Sequence, residues 1–156
     1  MDGISANLPV AILAAMLIVA AFGDLRSRRI PNKLNLAIAA LAVPFWVLSG
    51  YAFWPDMAVQ LALGAGVFLV FAMLFHFGQM GGGDVKLLAA LALWLPLASL
   101  IKLAVIMSLA GGVLTLVMLI RHRAAKSGET LEVPYGVAIA FAGIWLIGER
   151  FLYQFG

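Results

Sequence analysis

Cysteine is absent from the 156-residue sequence, and charged residues are scarce. The absence of cysteine excludes disulfides, thiolate nucleophiles and cysteine-ligated zinc within these residues. No Lys or Arg precedes Arg26. The first apolar stretch therefore lacks the basic start of a secretory signal peptide, and it is predicted to be a retained helix.

Charged residues make up 11% of the chain and hydrophobic residues 65%. Soluble domains average about 25% and about 45–50%, respectively. A water-soluble core of this size cannot bury so much apolar surface, so the sequence predicts an integral membrane protein in a lipid bilayer. The net charge of +3 comes from short basic clusters between apolar runs. Such clusters are typical of topology signals, and no nucleic-acid partner is predicted.

Six apolar stretches predict six membrane-spanning helices in a single transmembrane domain over residues 1–156, an all-α polytopic fold. Their predicted bounds are residues 4–22, 34–49, 57–77, 84–95, 98–120 and 133–147. A spanning helix needs about 20 mostly apolar residues. The fourth helix is shorter, so it is expected to begin inside the membrane. Its end is predicted just before Pro96; one helix that continues past this proline with a kink is the alternative.

The basic residues predict the orientation of the chain. With the N-terminus outside, Lys102 and Arg150 lie on the outer side, and the other eight of the ten Lys and Arg lie on the inner side: Arg26, Arg28, Arg29, Lys33, Lys86, Arg121, Arg123 and Lys126. This positive-inside bias predicts that both termini face away from the cytoplasm. Five aromatic residues are then expected at the outer interface: Tyr51, Trp54, Trp94, Trp145 and Tyr153.

Two acids adjoin apolar runs at the predicted inner face. Asp24 follows the first span, and Asp84 starts the fourth span 60 positions later. A helix N-terminus favours an acid, so Asp84 alone could be a capping residue. Asp24 could pair with Arg26 or Arg28, but it stands at a helix C-terminus, where the dipole is unfavourable to an anion. The two acids together therefore indicate a functional site more strongly than either one alone.

Three consecutive glycines, Gly81, Gly82 and Gly83, precede Asp84. Irregular backbone at membrane depth is tolerated where it is buried in protein or lines a wet cavity. The glycines are predicted to let another backbone approach closely, so that an extended peptide can bind; a flexible turn is the alternative. Five further glycines are predicted to be sites of close helix packing: Gly64, Gly66, Gly111, Gly112 and Gly143.

Two carboxyl groups a few ångströms apart share a proton, because both cannot easily ionise. One can then activate water while the other protonates a carbonyl, which hydrolyses a peptide bond without a metal, a cofactor or a covalent intermediate. The helix ends favour negative charge on Asp84 and the shared proton on Asp24. The competing hypothesis is a small non-enzymatic transporter or cation-site protein that uses both acids.

Three motifs resemble those of the prepilin peptidase family of GxGD membrane aspartic proteases. Residues 81–87, GGGDVKL, resemble the GxGD motif with the residues that follow it. Residues 24–32, DLRSRRIPN, resemble the first aspartate region, and residues 134–136, PYG, resemble the element that opens the last helix.

The resemblance implies an aspartic endopeptidase of the inner membrane that cleaves the short basic leader of type IV or Flp prepilins, or of pseudopilins. Cleavage would follow a glycine at the cytoplasmic face. Asp24 and Asp84 would be the catalytic pair, and seven residues would bind substrate or line the site: Gly81, Gly82, Gly83, Lys86, Pro134, Tyr135 and Gly136.

Long family members carry an added N-terminal cytoplasmic region, often with paired cysteines, that is linked to N-methylation of the mature pilin. The present sequence enters its first apolar stretch within a few residues and has no cysteine. Leader peptidase activity without methyltransferase activity is therefore expected, as in the compact peptidases of tight-adherence systems.

Overall fold

The structure, a computed structural model, describes residues 3–125 and 133–155. Within them lie six α-helices and no strand: α1 (Gly3–Ser27), α2 (Asn32–Leu48), α3 (Ala58–His76), α4 (Gly82–Ala92), α5 (Leu97–Ala125) and α6 (Tyr135–Phe155). An irregular turn, Phe53–Met57, precedes α3 and has non-helical backbone angles at Trp54. The all-α prediction is confirmed. Lys126 of the predicted inner basic set lies outside the described residues.

Three helical stretches are long and apolar enough to cross a membrane: Asn7–Ser27, Phe53–His76 and Leu97–His122. The helix Asn32–Leu48 is apolar but shorter. Over 18 consecutive apolar residues of the second stretch, and likewise of the third, only 11% are buried inside the protein, as expected of apolar helices that face lipid. The chain is therefore a multi-pass helical membrane protein, and the number of six spans stays a prediction.

The short helix α4 is the most enclosed element. It packs against α2, α3 and α6. Seven of its 11 residues are buried: Asp84, Val85, Leu87, Leu88, Ala90, Leu91 and Ala92. At about 1.5 Å per residue it is about 16 Å long, and because neighbouring helices surround it, it does not need the length of a lipid-exposed span. The predicted interruption before Pro96 is confirmed, since α4 ends at Ala92 and α5 begins at Leu97.

Buried side chains satisfy the backbone where α4 ends. The indole N–H of Trp46 donates a hydrogen bond to the carbonyl oxygen of Leu93 at 2.8 Å. The side-chain amide of Gln60, itself 4% exposed, donates to the same oxygen at 3.0 Å. Unpaired backbone groups inside a membrane cost several kcal/mol. These two bonds therefore allow the helix to stop in the protein interior.

The prediction that Trp94 belongs to an outer aromatic belt is wrong. Its side chain is 3% exposed, stacks on Phe45 with 4.9 Å between ring centroids, and donates its indole N–H to the Ile38 carbonyl oxygen at 3.0 Å. The break between α4 and α5 turns this residue toward α2 and away from lipid. Trp54 and Trp145 are exposed, and the side chain of Tyr153 lies outside those that the structure describes.

Close packing is confirmed at three of the five predicted glycines. A Cβ atom added to Gly64 would lie 2.6 Å from a neighbouring side-chain carbon, one added to Gly143 would lie 2.9 Å away, and one added to Gly111 would lie 3.5 Å away. The prediction is wrong for Gly66 and Gly112, where an added Cβ would meet nothing within 4 Å. Both of these glycines lie on exposed faces of their helices.

Candidate active site

Asp24 and Asp84 line the same cavity at one end of the helix bundle. Asp24 lies in the last turn of α1 and Asp84 in the first turn of α4. Their side chains are buried, at 5% and 9% exposed. Both line a cavity of about 550 Å³ between the α1–α2 connection and the glycine run, and both line a smaller one of about 380 Å³ that extends toward Tyr135. The fold thus brings together two acids that are 60 positions apart in the sequence.

The first turn of α6 encloses the carboxyl group of Asp24. The backbone N–H groups of Gly136 and Val137 interact with this carboxyl group, and a Cβ atom added to Gly136 would lie 2.8 Å from its Oδ2 atom. Oδ2 is buried and accepts no hydrogen bond of good geometry from the described part of the chain. Asp24 does stand at the C-terminal end of a helix, as predicted, and the N-terminus of α6 additionally presents amide donors to its carboxyl group.

The carboxyl group of Asp84 lies against the start of its own helix. The Gly81 N–H interacts with this carboxyl group, and the charge of Asp24 repels it. A Cβ atom added to Gly81 would lie 2.8 Å from Oδ2 of Asp84. Two buried acids that repel each other are suited to sharing a proton. Both acids now face amide donors of a helix N-terminus, so helix ends no longer distinguish them, and the predicted negative charge on Asp84 stays a prediction.

The protein itself packs closely against two of the three glycines. A Cβ atom added to Gly83 would lie 3.3 Å from Cβ of Ile30 and 3.5 Å from its backbone nitrogen, and one added to Gly82 would lie 3.3 Å from the Phe75 ring. The backbone that approaches the run in this structure is that of Ile30, just after α1. The run also lines the larger aspartate cavity, and the binding of an extended peptide there stays a prediction.

A buried amide that was not among the predicted site residues, Asn35, holds the glycine run in place. Its side chain is 4% exposed, and its Nδ2 donates a hydrogen bond to the carbonyl oxygen of Gly83 at 3.1 Å. Its Oδ1 atom is buried without a partner among the described residues. The sequence feature that could have identified Asn35 is its amide within an apolar stretch, because polar side chains within membrane helices are costly and mark functional positions.

Lys86 lies close to the site in sequence, but it lines neither aspartate cavity. Its Nζ donates a hydrogen bond to Oδ1 of Asn32 at 2.8 Å, and its side chain lines a separate, apolar cavity between α2, α3 and α4. Of the residues that open α6, Pro134 is buried and Tyr135 lines the smaller aspartate cavity.

Arg28 lines both aspartate cavities. Its backbone adopts a left-handed conformation with φ 53°, and this conformation ends α1. Its backbone N–H donates a hydrogen bond to the Asp24 carbonyl oxygen at 2.9 Å. Its positive charge attracts the Asp24 carboxylate. Arg29 lines the larger cavity, whereas Arg26 is exposed and lines neither.

Comparison with known sequences shows which family this chain resembles. The model of the type IV leader peptidase family matches residues 11–116. A prepilin leader peptidase/N-methyltransferase of Aeromonas salmonicida is 30% identical over 146 residues, which are 90% of this chain and 48% of that protein. The protein with the same name from Xanthomonas campestris is 31% identical over 144 residues, 88% of this chain and 48% of its own.

A third relative with that name, from Neisseria gonorrhoeae, is 32% identical over 142 residues, 87% of this chain and 46% of its own. The chain thus spans about half the length of the curated relatives it matches. No solved structure matches it. The family match includes the α1–α4 region in which Asp24 and Asp84 meet, and the chain belongs to the type IV leader peptidase family.

Proposed function

We propose that this protein is an aspartic endopeptidase of the inner membrane that removes the short basic leader of type IV or Flp prepilins, or of pseudopilins. Cleavage follows a glycine and takes place at the cytoplasmic face. The observation that carries the proposal is that Asp24 and Asp84 line one cavity of about 550 Å³. Family membership supports the substrate class. The proposal covers the peptidase activity and leaves out the methyl transfer that is named with it in the relatives.

In the proposed reaction, one of the two aspartates is ionised and the other carries a proton. The carboxylate takes a proton from water, whose oxygen attacks the scissile carbonyl carbon, and the other carboxyl group protonates the carbonyl oxygen. Collapse of the tetrahedral adduct breaks the C–N bond. The leaving nitrogen takes the proton that the first carboxylate removed from water, and a hydroxyl group of the adduct returns a proton to the second carboxylate, which restores the starting state of the pair. No metal, cofactor or covalent intermediate is required.

Backbone amides favour negative charge on the two carboxyl groups in this reaction. Amides of Gly136 and Val137 adjoin Asp24, and the Gly81 amide adjoins Asp84. Because all three donors belong to helix N-termini, they stabilise negative charge and need not reorganise during the reaction. The Arg28 charge adds to the stabilisation of negative charge at Asp24.

The test is cleavage of a purified prepilin by the purified protein in detergent, followed by mass spectrometry. A loss of mass equal to the leader is expected. Asp24→Asn and Asp84→Asn should each lower the rate by about 100-fold or more, which is the usual contribution of general acid–base groups. Asp56→Asn is the matched control, because Asp56 is an exposed acid whose Oδ2 accepts the Ala52 N–H at 2.9 Å in the turn before α3. This variant should cleave at the wild-type rate.

Two outcomes would contradict the proposal. Cleavage by the double variant D24N/D84N would remove the aspartates from the mechanism. A prepilin left intact by folded wild-type protein would favour the non-enzymatic hypothesis, which cation flux into proteoliposomes would then examine.

A further inference from the structure

An open apolar groove lies beside the aspartate site, between α2 and α3, with α4 as its floor. It has a volume of about 500 Å³, and we call it the lateral groove. Small residues form much of its inner surface: Gly64, Ala65, Ala89 and Ala90. Its rim carries the apolar side chains of Leu36 and Phe68, which are 70% and 43% exposed. The lateral groove therefore offers an apolar surface to lipid.

The lateral groove carries polar side chains only at the end near the glycine run. Lys86, Asn32 and Asn35 lie there, and the other lining residues are apolar or glycine. Lys86 is exposed and makes one hydrogen bond, to Asn32. Its remaining N–H donors have no partner among the described residues. None of the lining residues is an acid, so the polar end carries net positive charge.

Asn35 adds a second, independent indication that something polar binds there. Its Nδ2 donates to Gly83, while its Oδ1, buried with the rest of a 4% exposed side chain, has no partner among the described residues. A buried acceptor left without a donor is destabilising by about 1–3 kcal/mol. The atom has almost no accessible surface, so an N–H or O–H group of a molecule in the lateral groove would satisfy it once the Asn35 side chain turns toward the groove that it lines.

We propose that the lateral groove binds one anionic phospholipid. The phosphate pairs with Lys86, a hydroxyl of the headgroup donates to Oδ1 of Asn35, and an acyl chain lies along the α4 floor. Charge complementarity selects this occupant, because basic sites between membrane helices bind anionic headgroups. A purely hydrophobic helix would leave the charge of Lys86 uncompensated and Oδ1 of Asn35 without a donor. Because Asn35 also holds Gly83, the lipid braces the backbone next to the aspartate pair.

Native mass spectrometry of the full chain, equilibrated with phosphatidylglycerol and phosphatidylcholine of identical acyl chains, tests the proposal independently of any cleavage activity. One phosphatidylglycerol is expected to be retained in preference to phosphatidylcholine. Lys86→Gln should weaken this retention about fivefold, the equivalent of the roughly 1 kcal/mol that one lysine contributes to binding of anionic lipid. Lys33→Gln is the matched control, since Lys33 is an exposed lysine of α2 outside the groove.

A second pair of variants tests the groove itself. Ala65→Trp places a large side chain in the lateral groove and should abolish retention of the lipid. Ala62→Trp, on the same helix, exposed and outside the groove, should not. Thermal melting establishes that each variant is folded before lipids are counted.

Equal retention by K86Q and K33Q, equal retention of the two headgroups, or equal retention by A65W and A62W would overturn the proposal. A hydrophobic helical peptide without an anionic group that displaces phosphatidylglycerol equally well from wild type and K86Q would identify the groove as a peptide site and would overturn it too.

Discussion

The side-chain amide of Asn35 donates a hydrogen bond to the carbonyl oxygen of Gly83 at 3.1 Å. The bond joins α2 to the first turn of α4, one residue before Asp84, and its donor side chain is buried. A buried bond of this kind constrains the glycine run, which has no side chains of its own to position it. Asn35 therefore belongs with the residues that place Asp84 beside Asp24.

Asn35→Ala is expected to lower the rate of leader cleavage about tenfold and the free energy of unfolding by about 1–3 kcal/mol, because the Gly83 carbonyl loses a buried donor. Gln60→Ala is the matched control. It removes a buried amide bonded to Leu93 at the opposite end of α4, so a similar loss of stability is expected without a loss of cleavage per folded molecule. Equal cleavage by the two variants at matched folded fractions would show that Asn35 has no positioning role.

Gly136→Ala is expected to lower cleavage by about tenfold or more. The added Cβ would lie 2.8 Å from Oδ2 of Asp24 and 2.7 Å from a side-chain carbon of Ile30, so the carboxyl group must move. Gly112→Ala, also in a helix, meets nothing within 4 Å and should stabilise the protein by up to about 1 kcal/mol. Initial cleavage rates and melting temperatures of both variants provide the measurement. Wild-type cleavage by G136A would argue against a fixed position for Asp24.

Gly81→Ala separates steric effects from backbone strain. Gly81 has φ −71° and ψ 142°, which alanine adopts freely, but its Cβ would lie 2.8 Å from Oδ2 of Asp84. Loss of cleavage with little loss of stability is therefore expected. At Gly50, with φ 76° and open space around it, alanine should cost about 1–2 kcal/mol of stability and leave cleavage intact. Unfolding and cleavage assays of both variants provide the measurement. A loss of stability with intact cleavage in G81A, together with a loss of cleavage at full stability in G50A, would contradict the prediction.

Single-cysteine labelling tests the predicted orientation, and the absence of native cysteine makes the experiment clean. Ser27→Cys lies at the end of α1 and Ala52→Cys lies just after α2, and both positions are exposed. If the aspartate site faces the cytoplasm, an impermeant maleimide labels A52C in intact cells, whereas it labels S27C only after permeabilisation. Labelling of S27C alone in intact cells would show that the orientation is the reverse of the predicted one.

Much of the helical architecture is determined by local sequence. Apolar runs predict helices, and a proline that cannot continue a helix predicts the break before Pro96. The folded chain follows both at Pro96, although Pro9 and Pro44 lie inside α1 and α2 without ending them. Helix α1 extends to Ser27, past the predicted end at residue 22, and so carries Asp24 within its last turn. The glycine run and the two acids also form an unusual local pattern within apolar surroundings, and that pattern is enough to single out the candidate site.

Composition and neighbours along the chain are sufficient to make this protein helical, to put it in lipid and to predict the break before Pro96. The direction in which its side chains face is set by tertiary contacts instead: Trp94 is turned inward, Lys86 is directed into the lateral groove, and the α6 amides meet Asp24. In a chain that is 65% hydrophobic, the sequence pattern does not distinguish an apolar side chain that faces lipid from one in the protein interior. Contacts between distant helices, made through buried polar groups such as Asn35 and Gln60, are what distinguish them.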